Sequence, residues 1–151
     1  MIQRIQTVFL LASLGFLISM FFSPFSGLVA ESGNVCTLSL AGICQNADNV
    51  QNFSPKYLLL ALGILICLSN LVIIFMYQRR VLQSRLCIYN IVLLTGLLGA
   101  MLYAAYGEEN MVTVSYRLPF VFPVISIIFH YLAFRGIRKD ETAVQALNRL
   151  R

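Results

Sequence analysis

Residues 57–77 read YLLLALGILICLSNLVIIFMY, an uninterrupted apolar run without a charged side chain. An α-helix needs about 20 such residues to cross the hydrocarbon core of a bilayer. Three further apolar stretches of nearly this length lie at residues 5–22, 86–106 and 118–134. A soluble protein of this size has no core large enough to bury four such segments. The pattern therefore predicts four transmembrane helices.

The composition agrees with that prediction. Of the 151 residues, 59% are hydrophobic and 11% are charged, and the mean hydropathy is +0.81. Soluble domains have about 45–50% apolar and about 25% charged residues. The net charge of +5 does not indicate nucleic-acid binding, because the basic residues lie between the apolar runs. The length suits one domain, residues 1–151, and excludes a large transporter or a multidomain enzyme.

The positions of lysine and arginine predict how the chain is threaded. Nine of the eleven basic residues precede span one, lie between spans two and three, or follow span four. Only Lys56 and Arg117 fall in the segments 23–56 and 107–117. We therefore expect those two segments to be outer loops. Both termini, with the tail 135–151, are expected in the cytoplasm.

The outer loops carry strand signals. Val35, Thr37 and Ser39 alternate with more apolar neighbours, and Ala41-Gly42 follow as a turn signal. Residues 111–116 of the second outer loop offer a possible counterpart. Pairing of the two segments predicts a small β-hairpin or sheet that caps the bundle.

Two cysteines of the first outer loop are candidates for a disulfide. A hairpin turn centred near Leu40 would place Cys36 directly opposite Cys44, so a structural disulfide is expected. The alternative is a membrane thiol oxidoreductase, whose reactive cysteines are separated by two residues (Cys-x-x-Cys) rather than by the seven found here. Cys67 and Cys87 fall within spans and are interpreted as packing residues.

Three polar residues lie within predicted spans, where such side chains are costly. Asn70, Asn90 and His130 all fall in the cytoplasmic half and could meet in one hydrogen-bonded cluster. The favoured interpretation is contact between helices. The alternative is a proton or ligand site around His130, although the spans contain no acidic residue to serve as its relay partner.

Small residues repeat along span three, which allows close helix approach. They are Gly96, Gly99, Ala100 and Ala104. A partner helix within the same bundle is favoured over a helix of another protein.

The tail has apolar residues at helical spacing among basic ones. It therefore predicts an amphipathic helix that contacts lipid or a partner protein. The proposed contact residues are Arg138, Lys139, Val144, Leu147, Arg149, Leu150 and Arg151.

Three segments together resemble a known family: MIQRIQT at residues 1–7, RRVLQSRLC at 79–87 before Asn90, and IRKDE at 137–141 with NRLR at 148–151. The whole chain is similar to a small four-span inner-membrane family of Bacteroidota, known as a domain of unknown function. The resemblance implies a bacterial inner-membrane location and supplies no activity or catalytic residue.

The sequence thus predicts an all-α membrane protein: a four-helix bundle with a small extracytoplasmic β cap and an amphipathic cytoplasmic C-terminal helix. No catalytic, metal-binding or cofactor motif appears in the sequence. We expect a non-enzymatic accessory or scaffold subunit whose partners are membrane lipids and other inner-membrane subunits, not nucleic acid. A homo-oligomer is compatible with this interpretation. The alternatives are a lipid- or small-molecule-binding protein with a cavity in the bundle, and the thiol oxidoreductase.

Overall fold

The computed structural model describes residues 2–30, 35–47, 50–76, 79–106 and 111–149. Its helices are α1 (Ile2–Phe22), α2 (Tyr57–Phe75), α3 (Arg80–Tyr106) and α4 (Phe122–Arg149). Each contains a stretch long and apolar enough to cross a membrane; the stretches are Ile5–Phe22, Tyr57–Phe75, Val81–Tyr106 and Leu118–Asp140. The prediction of a multi-pass protein with four membrane-spanning helices is supported.

The four helices pack around a common centre. α1 lies between α2 and α4, and α3 lies between the same two helices on the other side. The outward faces expose large apolar side chains such as Leu68, Val92 and Ile128. Exposed apolar residues on every helix are what a bundle surrounded by lipid requires.

The third helix begins earlier than the sequence suggested. α3 starts at Arg80, so Arg80 and Arg85 lie on a helix rather than in a link before residue 86. Two hydrogen bonds from Gln83 fix the first turn. Its backbone N–H donates to the Arg79 carbonyl, and its side-chain Nε2 donates to the Ile73 carbonyl of α2 at 3.2 Å. Arginine and glutamine are good helix formers, and polarity alone does not end a helix.

A five-stranded antiparallel sheet is built from the two predicted outer loops. Its strands are β1 (Ser26–Ala30), β2 (Val35–Leu38), β3 (Gly42–Ala47), β4 (Val50–Pro55) and β5 (Met111–Tyr116). Their spatial order is β4-β3-β2-β1-β5. The two loops pair as predicted, but β5 pairs with β1 rather than with the segment at residues 35–40. The reason is that β2 already has β1 and β3 on its two sides.

One face of the sheet lies on the bundle. Phe25, Leu28, Leu38 and Leu40 are fully buried there and join residues of the helices in one apolar cluster. Gly63 of α2 is a point of close packing: a Cβ at that position would stand 3.0 Å from Phe21 Cζ of α1 and at an ordinary contact distance of 3.6 Å from Leu40 Cδ1. The hairpin tip therefore packs where a helix presents no side chain.

The core has two apolar clusters. The first lies beside the sheet and includes Leu17, Ile66 and Leu94. The second lies toward the far end of the bundle and is formed by Leu10, Ile73, Cys87, Ala133 and Ile137. We call these the sheet-end cluster and the tail-end cluster. Every helix contributes to the packing of both.

The tail is not a separate helix. α4 runs without interruption from Phe122 to Arg149, which is 28 residues or about 42 Å. A hydrocarbon core is about 30 Å thick. A helix that continues a span along its own axis leaves the membrane and cannot lie flat on it.

Candidate functional site

Polar side chains replace one complete layer of the core between the two apolar clusters. On α1, Ser13 lies between Leu10 and Leu17, and on α3 Asn90 lies between Cys87 and Leu94. The same spacing of three or four residues places Asn70 on α2 and His130 on α4. All four polar side chains are completely buried. We call Ser13, Asn70, Asn90 and His130, with Ser69 and Ser126, the polar layer.

His130 is the centre of the polar layer, and its contacts fix its tautomer. Its Nδ1 lies 2.8 Å from the carbonyl oxygen of Ser126, one turn earlier on α4. A carbonyl oxygen only accepts, so Nδ1 carries the ring proton and donates it there. The unprotonated Nε2 then accepts a hydrogen bond of 2.7 Å from Asn90 Nδ2. Both ring nitrogens are therefore engaged by the protein.

The other contacts extend this pair to all four helices. Ser69 on α2 donates through Oγ to Asn90 Oδ1 at 2.6 Å, and the same hydroxyl lies 2.9 Å from the Ile66 carbonyl. Ser13 Oγ on α1 lies 3.2 Å from the Nδ1 that donates to Ser126 and is a second, longer acceptor of the same N–H. Asn70 Nδ2 donates to this serine at 3.3 Å. Since Ser69 and Asn70 are neighbours on α2, the hydrogen bonds form a closed circuit through α2, α1, α4 and α3.

Two polar atoms beside this circuit have no hydrogen-bond partner in the described part of the structure: Asn70 Oδ1 and Ser126 Oγ. Both belong to completely buried residues. A buried polar group without a partner costs about 1–3 kcal/mol. These atoms are the unused hydrogen-bonding capacity of the polar layer.

The polar layer is suited to joining helices. Its groups are amides, hydroxyls and one imidazole, and the described residues contain no cluster of three metal-ligating side chains. The structure brings Asn70, Asn90 and His130 together, although Asn70 reaches the imidazole only through Ser13. Sequence reasoning missed the three serines. Their positions in the sequence could have indicated them. Ser13 lies between Leu10 and Leu17 on the buried stripe of α1, and Ser126 precedes His130 by one helical turn.

The expected disulfide between Cys36 and Cys44 is not supported. The hairpin turn is closed by two hydrogen bonds between Ser39 and Gly42, so it is centred between Leu40 and Ala41. This register pairs Cys36 with Gln45, and Cys44 with Thr37. Since a shift of one residue moves a position to the other face of a strand, Cys36 and Cys44 do not stand opposite each other.

The small residues of α3 divide into two sets. Ala100 and Ala104 pack against the sheet-end cluster. Gly96 and Gly99 instead face open space: among the described residues, no atom beyond the helix's own neighbouring backbone lies within 4 Å of the place where a Cβ would stand. The helix partner expected within the bundle therefore does not reach these two glycines.

The proposed contact residues of the tail are only partly described. Arg138 and Lys139 are exposed, and the Arg138 guanidinium lies 5.7 Å from the centre of the Phe134 ring. The side chains of Val144, Leu147 and Arg149 lie outside the described part, as do residues 150 and 151 entirely. What the structure adds is an anchor at the start of the tail. Gln6 Nε2 of α1 donates to Asp140 Oδ2 at 2.8 Å.

The chain belongs to the family described as a domain of unknown function, DUF4293, whose model matches residues 2–150. No curated protein matches the chain. The family description includes no activity.

Proposed function

We propose that this chain is a non-enzymatic accessory or scaffold subunit of a larger assembly in a bacterial inner membrane. The polar layer is the observation that supports this most directly. Both nitrogens of the only imidazole bond to other helical positions rather than facing a groove. A general base or ligand would need one of them available to a substrate. The hydrogen bonds of the polar layer instead hold the four helices in one arrangement.

The orientation proposed is with both termini in the cytoplasm, as the nine basic residues on that side favour. In that orientation the sheet faces the periplasm and the end of α4 faces the cytoplasm. After Asp140, α4 continues for nine residues to Arg149, or about 14 Å. This projecting segment, 141–149, favours docking on a protein over lying on lipid.

Co-purification tests the proposal. The tagged chain, expressed at its native level, is solubilised separately in two mild detergents and analysed by quantitative mass spectrometry. We expect at least one other membrane protein at the same molar ratio to the chain in both detergents. A chain that purifies alone, or only with lipid, would contradict the scaffold function.

The second candidate function is binding of a lipid or small polar molecule in the bundle. It is favoured by one observation, the two buried atoms Asn70 Oδ1 and Ser126 Oγ without described partners. A ligand there would have to offer one donor to the amide oxygen and one partner to the hydroxyl. Native mass spectrometry would then show a bound mass that Asn70→Leu removes and Ser19→Ala, away from the polar layer, leaves in place.

A further inference from the structure

The two edges of the sheet are differently protected. β4 forms one edge and ends at Pro55, with Lys56 next to it. Proline and lysine are common devices against pairing at an exposed edge. β5 forms the other edge, and its sequence MVTVSY has neither a proline nor a charged residue. A register shift opposite Val29 and Ala30 affects only the start of β5, and residues 113–116 pair regularly with β1.

The backbone of β5 presents hydrogen-bonding groups to that open edge. Arg117 donates its N–H to the Phe25 carbonyl at 3.0 Å, which continues the register of β5 with β1. In an antiparallel ladder, hydrogen-bonded positions alternate. Ser115 and Thr113 therefore face β1 with their N–H and C=O groups. Those of Val114 and Tyr116 point away from the sheet.

This edge lies close to the apolar boundary of the protein. Leu118, two residues beyond β5, is 79% exposed, and Tyr106 at the end of α3 is 69% exposed. A hydrogen bond with Tyr106 raises the pKa of the Tyr116 hydroxyl, which connects the edge strand to the end of that membrane span. Tyrosines are typical of the membrane–water interface. Unpaired backbone groups are more costly near hydrocarbon than in water, so an edge at this level favours a partner strand.

We propose that β5 pairs antiparallel with β5 of a second copy of this chain about a two-fold axis. The outward groups of Val114 in each copy would bond to those of Tyr116 in the other, giving four backbone hydrogen bonds. The two Ser115 residues would lie opposite each other at the axis. The two five-stranded sheets would then form one sheet across the dimer.

The sequence of the edge favours a second copy as the occupant. Self-pairing would place Val114 opposite Tyr116, an aromatic and β-branched combination that stabilises sheets. It would place Arg117 opposite Thr113, so no like charges would meet. The two-fold axis is also compatible with insertion in a membrane. It runs perpendicular to the sheet, whose inner face lies on the bundle. Two copies related by it are inserted in the same direction, as two copies of one chain must be.

Cysteine crosslinking in intact membranes tests the pairing. Ser115→Cys would bring two thiols together at a non-hydrogen-bonded pair, where Cα atoms lie about 4.5 Å apart, within the range of a disulfide. Thr113→Cys, exposed on the same strand, would leave its two thiols far from the axis and serves as the matched control. Oxidation with copper phenanthroline should give at least tenfold more dimer for the first variant than for the second or the unmodified chain.

A pair of proline variants separates dimer formation from folding. Val114→Pro removes an N–H that points to the open edge, and such a position tolerates proline. Val114 also packs against the sheet-end cluster, so the variant should be less stable but still folded, while its dimer fraction in detergent falls at least tenfold. Ser115→Pro removes an N–H directed at β1 and should destabilise the sheet itself. Equal crosslinking of Ser115→Cys and Thr113→Cys, a crosslink to a protein of another mass, or an unchanged dimer in Val114→Pro would each overturn the proposal.

Discussion

His130 illustrates how a polar residue can be accommodated between apolar layers. The ring donates from Nδ1 to the Ser126 carbonyl, with Ser13 Oγ as a second, longer contact of the same N–H, and accepts at Nε2 from the Asn90 amide, so the neutral form has all of its hydrogen-bonding capacity satisfied. Asn90 is oriented in turn by the Ser69 hydroxyl. Such interhelical hydrogen bonds contribute about 0.6–2 kcal/mol each in membranes. They also favour one relative rotation of the helices, since a rotated helix would lose its partners.

A double-mutant cycle measures this contribution. Asn90→Leu and His130→Leu should each lower the free energy of unfolding by about 1–3 kcal/mol, because each leaves a buried partner unsatisfied. The double variant should lose less than the sum, with a coupling energy of about 0.6–2 kcal/mol. Thr95→Val, on the exposed face of the same helix, is the control and should change stability little. Strict additivity would contradict a direct bond between the two side chains.

Alanine substitutions at Gly63 and Gly15 test how closely α2 packs on α1. A methyl group at Gly63 would stand 3.0 Å from Phe21 Cζ, whereas a methyl group at Gly15 would have no atom of the described residues within 4 Å apart from the backbone of its own helix. Alanine gains about 1 kcal/mol of helix propensity at either site, so this gain cancels in the comparison. Gly63→Ala should therefore be less stable than Gly15→Ala by about 1–3 kcal/mol, from overpacking. Thermal unfolding in detergent would show it, and equal melting temperatures would argue against close packing of α2 on α1.

At the scale of elements, the helices followed from the sequence more closely than the strands. Apolar length marks a membrane helix directly, so α2 was predicted from Tyr57. Strand register depends on where a turn closes, and Leu40-Ala41 as the central pair differs from Leu40 alone by half a residue. That difference moved Cys44 from opposite Cys36 to opposite Thr37. The local sequence does not distinguish between two turn positions that differ by half a residue.

The continuity of α4 also had no local signal. The sequence placed the end of span four at residue 134 and predicted an amphipathic helix in the tail 135–151, and the structure joins the two in one helix. Arg138 and Lys139 are compatible with a helix, and Gln6 of α1 holds Asp140 at the point where the span ends. The contact joins residues 134 positions apart, which sequence reasoning without the fold does not bring together.

The hairpin register can be tested with the cysteines themselves. Gln45→Cys combined with Cys44→Ser would place two cysteines at a paired position, and this pair lies between hydrogen-bonded pairs of the ladder. After oxidation, denaturation and alkylation, this variant should carry two fewer labels than it does when reduced. The unmodified chain should carry the same number in both states. A loss of two labels in the unmodified chain would restore the register centred on Leu40.

At the scale of the whole molecule, the two ends of the bundle present different surfaces. The sheet closes one end of the bundle, and α4 extends from the other. The assignment of these ends to compartments is a prediction from the basic residues. A periplasm-dependent alkaline phosphatase should be active when fused after Lys56 and inactive when fused after Arg151. The reverse pattern would invert the orientation of both surfaces.

The tail is where the scaffold function can be tested most directly. A truncated chain that lacks residues 141–151 is the test variant. It keeps Asp140, because Asp140 accepts the hydrogen bond from Gln6. Asp140→Ala in the full chain is the matched control for loss of that contact alone. Both variants should insert in the membrane and unfold within a few degrees of the parent chain.

The deciding measurement is the molar ratio of co-purifying membrane protein to this chain, with and without residues 141–151. We predict that the deletion lowers the ratio at least tenfold, whereas Asp140→Ala leaves it within twofold of the parent. A truncated chain that is folded and retains its partners at the parental ratio would contradict the account.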